Sequence, residues 1–219
     1  MLFFTFAAMN YPILQLRKSK DQSLQRKHPW IFSGAIYTPT DTLKDGDLVA
    51  VHDCRNQFLA IGHYQHATIA VRVLSFQEQP IDEDFFTQKL KNAVSLRLKL
   101  NLLTKQNSIF RLCHGEGDGL PGLIIDFYNG VAVIQCHSVG MYQSLNLIVA
   151  GLKASLGKKL TAVYSKSSET LNKVDGVVDA YLFGSCVTPH TAIENGVKYQ
   201  IDWVLGQKTG FFIDQRECS

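Results

Sequence analysis

The chain has 219 residues, of which 46% are hydrophobic and 19% are charged. These values are typical of a soluble globular protein with one large domain or two small ones, and they exclude a disordered or collagen-like chain. The formal net charge is +3, which is too small to identify an anionic partner without a local cluster of charge.

The apolar stretch at residues 2–8 lacks the positively charged start of a signal peptide and is far shorter than the ~20 residues of a membrane span. We interpret residues 1–8 as a frayed or wrongly extended start before Met9, and a short buried strand is the alternative. Residues 11–78 then carry short apolar runs separated by turns rich in Asp, Asn and Gly, at 11–16, 48–52, 58–64 and 69–74. These runs predict strands, and together they predict a small β-barrel.

A helix is predicted after the barrel. Composition changes at residues 79–80, Asp82 is placed to cap a helix, and apolar residues recur at helical spacing as far as Leu103. We interpret residues 79–105 as a helix that links two domains.

Residues 106–190 predict a domain of the α+β class. The predicted order is three strands, a helix and a further strand, at 109–112, 123–128, 131–137, 141–156 and 160–165. The helix carries an apolar stripe that we assign to the core, namely Leu145, Ile148, Val149, Leu152 and Leu156. From residue 191 onward, Asn195 and Gly196 predict a β-hairpin.

A basic segment is the first candidate for function. It combines cationic side chains with an aromatic ring, in the order Arg17, Lys18, Lys20, Arg26, Lys27, His28 and Trp30. Cations contact phosphates, and an aromatic side chain stacks on an unpaired base, so the segment suits RNA. The alternative is a solvated loop that leads to a tryptophan in the barrel core, since Trp usually packs.

A glycine-rich run at residues 115–122 is the second candidate. Its four glycines and one proline enforce a tight turn. Glu116 and Asp118 would act as acid and base only beside a nucleophile or a metal, which the neighbouring sequence does not supply. A structural turn is the favoured interpretation, and a site of some kind is the alternative.

The third candidate is the segment at residues 206–216. It places charged and polar groups beside aromatic rings, namely Lys208, Thr209, Gly210, Phe211, Phe212, Asp214, Gln215 and Arg216. A small amphiphilic ligand suits this mixture. Asp214 accepts from hydroxyl or amino groups, a cation faces a carboxylate, and a ring packs on a flat group.

The cysteines and histidines predict neither a metal site nor a nucleophile. The five cysteines are scattered without a CxxC pair, so a reducing cytoplasm is expected rather than a disulfide framework. His63 and His66 have no third ligand at a suitable spacing. The Cys and His neighbours at 113–114 and 136–137 diverge in a strand. Dinucleotide, P-loop and HExxH motifs are absent from the sequence.

Three motifs in a fixed order resemble one known family. They are RKHPWIFSGA at residues 26–35, GEGDGLPGLIID at 115–126 and GQKTGFFIDQR at 206–216. Together they resemble the bacterial and archaeal S-adenosylmethionine (SAM)-dependent RNA methyltransferases that modify cytosine C5 in large-subunit ribosomal RNA. The resemblance extends over nearly the whole chain.

The resemblance implies an N-terminal RNA-binding PUA domain at residues 11–78, the linker helix at 79–105, a central α+β domain at 106–190, and the start of a Rossmann-like methyltransferase domain at 191–219. SAM is the implied cofactor, held beside Lys208, Thr209, Gly210, Phe211, Asp214, Gln215 and Arg216. Ribosomal RNA is the implied partner, contacted by the basic segment. No membrane or metal partner is expected, and a homodimer stays open.

The chain departs from the family pattern in one respect. It ends before the Gly-rich turn that holds the cofactor and before the cysteine that attacks cytosine C6, and Cys218 lies in the wrong place for that role. No catalytic residue is therefore assigned, and we expect an N-terminal part of the enzyme that is inactive alone. Related enzymes modify guanine, so the target base stays open. The alternatives are a stand-alone RNA-binding or ribosome-assembly module and a scaffold that binds no nucleic acid.

Overall fold

The computed structural model describes residues 11–213 and divides the protein into two compact units, one ending at Ile81 and the other beginning at Asp82. The expectations for residues 1–8 and for Asp214, Gln215, Arg216 and Cys218 lie outside the described residues. Within residues 11–213, no helix is both long and apolar enough to cross a membrane.

Five strands form the sheet of the first unit. They are β1 (Ile13–Gln15), β2 (Trp30–Phe32), β3 (Leu48–His52), β4 (Phe58–Tyr64) and β5 (Ile69–Ser75), in the order β1-β3-β4-β5-β2. β1 pairs with β3 in parallel, and the other pairs are antiparallel. A bridge between Leu16 and Ile36 joins the chain just beyond the two edge strands. The sheet therefore curls into a small barrel.

Alternating side chains fill the inside of this barrel. Val49 and Val51 of β3 are fully buried, because every second side chain of a strand points to the same face. Leu24 anchors the one-turn helix α1 (Gln22–Gln25) in the same core. The sequence pattern misses α1 and β2, since elements of 4 and 3 residues are too short to show a period. β1 is as short as β2, but it lies within the longer apolar run at 11–16 and is predicted from that run.

A second five-stranded sheet lies in the second unit. Its strands are β6 (Ile109–His114), β7 (Leu123–Tyr128), β8 (Val131–Cys136), β9 (Ala162–Ser165) and β10 (Ala180–Phe183), in the order β10-β9-β8-β7-β6. β8 and β9 are parallel and are connected by helices α3 (Val139–Gln143) and α4 (Leu145–Leu156), as a parallel pair requires. This unit has the α+β character that the sequence predicts, with β10 as an additional strand.

The helices differ from their predicted roles in two ways. Helix α2 (Glu83–Lys99) begins as predicted, with Asp82 Oδ1 accepting from Phe85 N at 3.0 Å. However, α2 lies within the second unit and packs on α4, instead of forming a separate link. The predicted helix at 141–156 is interrupted at Ser144, whose hydroxyl donates to the Gly140 carbonyl at 2.7 Å.

The predicted hairpin is present and packs within the second unit. β11 (His190–Glu194) and β12 (Val197–Ile201) are antiparallel, and Ser108 N at the start of β6 donates to the Ile193 carbonyl at 2.7 Å. Ala192 and Ile201 share a core with Val133 of β8 and the fully buried Trp203. The hairpin therefore covers one face of the second sheet.

Candidate nucleic-acid and cofactor sites

The predicted basic segment lies on the connection between β1 and β2. All its cationic residues, Arg17, Lys18, Lys20, Arg26, Lys27 and His28, are exposed, and Trp30 is half-buried in β2. Lys27 Nζ lies 4.7 Å from the centre of the Phe76 ring. Trp30 N donates to His28 Nδ1 at 3.2 Å. The segment is thus a solvent-facing positive surface, while Trp30 is partly used in packing.

An open depression of about 460 Å³ adjoins this segment at Arg17. Tyr37, which is 68% exposed, and His66 also line it. His66 Nδ1 lies 2.9 Å from Asp45 Oδ1. From the sequence, His66 is a candidate only as a metal ligand and Tyr37 is no candidate, because nothing in the chain order shows that these residues line one depression with Arg17.

The glycine-rich run forms a tight turn after β6. Gly115 and Gly119 have positive φ angles. Both carboxylate oxygens of Asp118 accept from the buried guanidinium of Arg97 in α2, and Asp118 also accepts from His114 N at 2.6 Å. Since Asp118 fixes the turn, the structure favours the structural interpretation.

The C-terminal candidate segment is described as far as Ile213. Asp202 starts its turn by accepting from Val204 N at 2.8 Å and from Leu205 N at 2.9 Å. Gly210 has a φ of +103°, and a Cβ there would lie 2.8 Å from the Asp202 carbonyl oxygen. The turn therefore requires glycine at this position.

Thr209 is buried, whereas a side chain that contacts a cofactor directly would be accessible to that cofactor. Its hydroxyl donates to Asp126 Oδ2 at 2.6 Å and lies 2.8 Å from the Tyr128 hydroxyl. Asp126 also accepts from Arg111 Nε at 2.8 Å and Nη2 at 3.0 Å. Burial and the negative charge of Asp126 raise the pKa of Tyr128, so its hydroxyl stays protonated and can donate to Thr209. We call these four residues the Asp126 cluster.

A second buried contact holds the same segment. Lys166 follows β9 and is only 3% exposed, and its ammonium group donates to the Gly206 carbonyl. Residues 206–209 are therefore tied to the sheet at two points, through Gly206 and through Thr209.

An open cleft of about 590 Å³ lies beside these contacts. Its lining mixes basic, acidic and polar groups, namely Arg111, Ile124, Gln135, His137, Glu169, Thr170 and Lys208. Lys208 is exposed, and its Nζ lies 4.5 Å from the centre of the Phe212 ring. Phe211 instead packs on Tyr199, with ring centres 5.0 Å apart. Lys208 and Phe212 therefore face solvent, whereas Thr209 and Phe211 serve packing.

Cys113, Cys136 and Cys186 are not arranged as activated nucleophiles. Burial raises the pKa of Cys113 and Cys136 to about 12, so both thiols stay protonated at neutral pH. Cys186 Sγ lies 3.3 Å from His190 Nδ1, but burial raises the pKa of this thiol also. Burial lowers the pKa of His63 to about 4. Within residues 11–213, no group of three or more His, Cys, Asp or Glu side chains is placed to hold a metal.

The first unit contains a PUA-like domain. Residues 14–76 match the family model of the PUA-like domain, and they include every strand of the barrel except the first residue of β1. The α+β architecture with an N-terminal PUA-like barrel, which the sequence predicts, is therefore confirmed.

The chain is similar in sequence to ribosomal RNA methyltransferases. The chain is 38% identical over 213 residues to ribosomal RNA large subunit methyltransferase I of Vibrio cholerae and 37% identical over 206 residues to that of Alteromonas mediterranea. These alignments cover 94% and 92% of this chain, but 52% and 51% of the relatives. The chain thus spans about half the length of the curated relatives it matches.

Two solved structures share the fold. One is a proposed SAM-dependent methyltransferase from Streptococcus mutans, with a TM-score of 0.77, and the other is a proposed methyltransferase complexed with SAH, with a TM-score of 0.78. Each is 21% identical in sequence, and each match covers 94% of this chain and 52% of the other.

Proposed function

We propose that the chain is part of a SAM-dependent methyltransferase that modifies large-subunit ribosomal RNA at cytosine C5. The similarity to the Vibrio cholerae and Alteromonas mediterranea proteins, which extends over 92% or more of the chain, supports methylation of large-subunit ribosomal RNA. The cytosine C5 target rests on the motif resemblance alone. In this proposal the PUA-like domain docks ribosomal RNA, and the second unit holds segment 206–216 beside the cofactor. A cytoplasmic location follows from the ribosomal substrate.

Segment 206–213 suits one side of a SAM molecule. SAM has a charged amino-acid end and a flat adenine, and it supplies an electrophilic methyl group when bound. Lys208 offers a cation to a carboxylate, and the exposed Phe212 offers a ring to a flat group. Thr209, Gly210 and Phe211 would act by fixing the backbone of the segment. Asp214, Gln215 and Arg216 follow directly and complete the proposed contacts.

Methylation at C5 requires a thiolate that adds to C6 of the cytosine. Cys113 and Cys136 do not suit this role, because they are fully buried and their pKa values are raised to about 12. We assign the thiolate to the half of the relatives' length that this chain does not span. The 219-residue chain alone is therefore expected to bind RNA without transferring a methyl group.

RNA docking is tested by a double variant, Arg26→Ala with Lys27→Ala. Loss of two phosphate contacts should weaken binding of a ribosomal RNA fragment and lower the slope of log K against log salt by about 2. Fluorescence anisotropy over a salt series measures both quantities. Lys158→Ala with Lys159→Ala is the matched control, since these two lysines are exposed in the second unit. An unchanged slope in the first variant would reject the basic segment as the RNA contact.

Methyl transfer is tested with the full-length protein, methyl-labelled SAM and ribosomal RNA. Nucleoside mass spectrometry should detect 5-methylcytidine. A different methylated nucleoside would retain the enzyme class and reject the cytosine target. RNA binding without SAM binding would favour the alternative of an RNA-binding or ribosome-assembly module.

A further inference from the structure

We propose that the depression beside Arg17 is a pocket for one unpaired nucleotide of RNA. We call it the Tyr37 pocket. The lining residues proposed to contact the nucleotide are Arg17, Tyr37, Thr38, Asp41, Gln65 and His66. The proposal rests on the proposed RNA-binding function of the PUA-like domain and names the form of RNA that the domain recognises. The volume of about 460 Å³ lies within the range of small-molecule sites.

Arg17 is positioned to hold a phosphate at the edge of the pocket. Its Nε donates to the Ile36 carbonyl at 2.9 Å, and its backbone N donates to the Ala35 carbonyl at 2.8 Å. The Nε bond restrains the direction of the guanidinium plane and the backbone bond holds the residue in place, while the side chain stays exposed. Among residues 11–213, its terminal nitrogens make no hydrogen bond or ion pair. A planar guanidinium with two such nitrogens matches the geometry of a phosphate.

Two aromatic groups are suited to contact a base. Tyr37 is 68% exposed although its backbone N is fixed by the Gln15 carbonyl at 2.8 Å. The imidazole of His66 is held by Asp45, which also accepts from His66 N at 2.7 Å. His66 in turn meets the edge of the buried Tyr64 ring, with centres 4.9 Å apart. Tyr37 thus presents an exposed ring on a fixed backbone, and His66 presents a ring that is itself held. Solvent-facing rings are the groups on which an unpaired base stacks.

The polar lining favours a base over a simple anion. Asp41 places a carboxylate on the wall, which would repel a free phosphate but accepts a hydrogen bond from the amino group of a base. Thr38 and Gln65 also line the pocket. The Thr38 hydroxyl already accepts from Gln15 N at 2.8 Å and Gln65 Oε1 accepts from Arg72 Nη1 at 3.3 Å, so these two side chains offer mainly donors to a base. The pocket therefore combines a cation for the phosphate, rings for stacking, and both an acceptor and donors for the base edge.

The first test compares Tyr37→Leu with Tyr37→Phe in the 219-residue chain. The probe is a fluorescein-labelled single-stranded RNA of mixed sequence and roughly ten nucleotides, which is about the site size of a small barrel. Loss of the ring should weaken binding roughly 5- to 100-fold, since stacking on one aromatic side chain has this effect. Tyr37→Phe keeps the ring and should bind within about twofold of the parent. Because Tyr37 is exposed, neither variant should unfold the domain.

The second test locates the RNA directly and controls for charge. RNA of the same sequence with 4-thiouridine should crosslink on irradiation to peptides that contain Tyr37 or His66. Arg17→Gln should lower the salt slope by about 1, whereas Arg55→Gln, at an exposed arginine in the turn between β3 and β4, should leave it unchanged.

The outcomes separate this inference from the proposed function. If Tyr37→Leu binds RNA as tightly as the parent and the crosslinks map elsewhere, the nucleotide pocket is overturned while RNA binding stands. Crosslinks to these peptides that form only when the 4-thiouridine RNA is annealed to a complementary strand would also overturn the nucleotide pocket. If the parent chain binds neither single- nor double-stranded RNA at low salt, the RNA-docking function itself is overturned, and the depression would suit a protein partner instead.

Discussion

Asp126 lies fully buried in the middle of β7, where an ionised carboxylate is costly unless other groups compensate it. Arg111 supplies the opposite charge, and Thr209 supplies a hydroxyl from 83 positions further along the chain. The motif around Thr209 identifies it as a residue of interest. Its actual partners could not be predicted, because neither local pattern shows that β7 and segment 206–213 meet.

Replacing Thr209 tests the Asp126 cluster. Thr209→Val keeps the shape of the side chain and removes the hydroxyl, which leaves Asp126 and Tyr128 each short of one buried hydrogen bond. The free energy of unfolding should fall by about 1–3 kcal/mol. Thr209→Ser keeps the hydroxyl and should stay within about 1 kcal/mol of the parent. Urea unfolding measures both values, and a valine variant as stable as the parent would contradict a role for this hydroxyl.

At the scale of elements, apolar runs bounded by turn residues are predicted well and short elements are not. The strands at 48–52 and 58–64 have their predicted bounds, because each is an apolar run of five or more residues between turns rich in Asp, Asn and Gly. Burial alternates along β3, whereas the last five residues of β4 are all buried. β10 was missed since its four residues are mostly half-exposed and are held by pairing with β9. The apolar stripe of α2 predicts a helix, but it does not predict that α2 packs on α4.

Gly151 explains how α4 packs closely against α2. A Cβ at this position would lie 2.8 Å from Leu90 Cδ1 and 3.2 Å from the backbone N of Thr87, both in α2. Glycine lowers helix stability by about 1 kcal/mol relative to alanine. Its presence inside α4 is therefore explained by the close approach of the two helices.

Adding volume at this point should separate the helices. Gly151→Val should lower the free energy of unfolding by about 1–3 kcal/mol, because the new methyl groups meet the backbone of Thr87. Ala154→Val introduces the same residue at an exposed position of the same helix and should change stability by less than about 1 kcal/mol. Urea unfolding of the two variants makes the comparison. A Gly151→Val variant as stable as the parent, or more stable, would contradict close packing against α2, because helix propensity alone favours valine over glycine.

On the scale of the whole molecule, the chain is two units with separate cores. The boundary after Ile81 lies close to the change of composition at residues 79–80. Within the first unit, the Tyr11 hydroxyl accepts from Ile81 N at 3.1 Å, so the first described residue of the unit contacts its last residue. The basic segment and the Tyr37 pocket both belong to this unit, whereas the Asp126 cluster and segment 206–213 belong to the other.

This division predicts that a fragment containing only the first unit keeps the RNA affinity of the chain. Residues 11–81 and residues 82–219, produced separately, should each unfold cooperatively in urea, because each has its own buried core. The first piece should bind single-stranded RNA within about threefold of the 219-residue chain and with the same salt slope, since it keeps the phosphate contacts. The second piece should bind at least about ten times more weakly. Equally tight binding by residues 82–219 would move RNA docking to the second unit and contradict the assignment to the PUA-like domain.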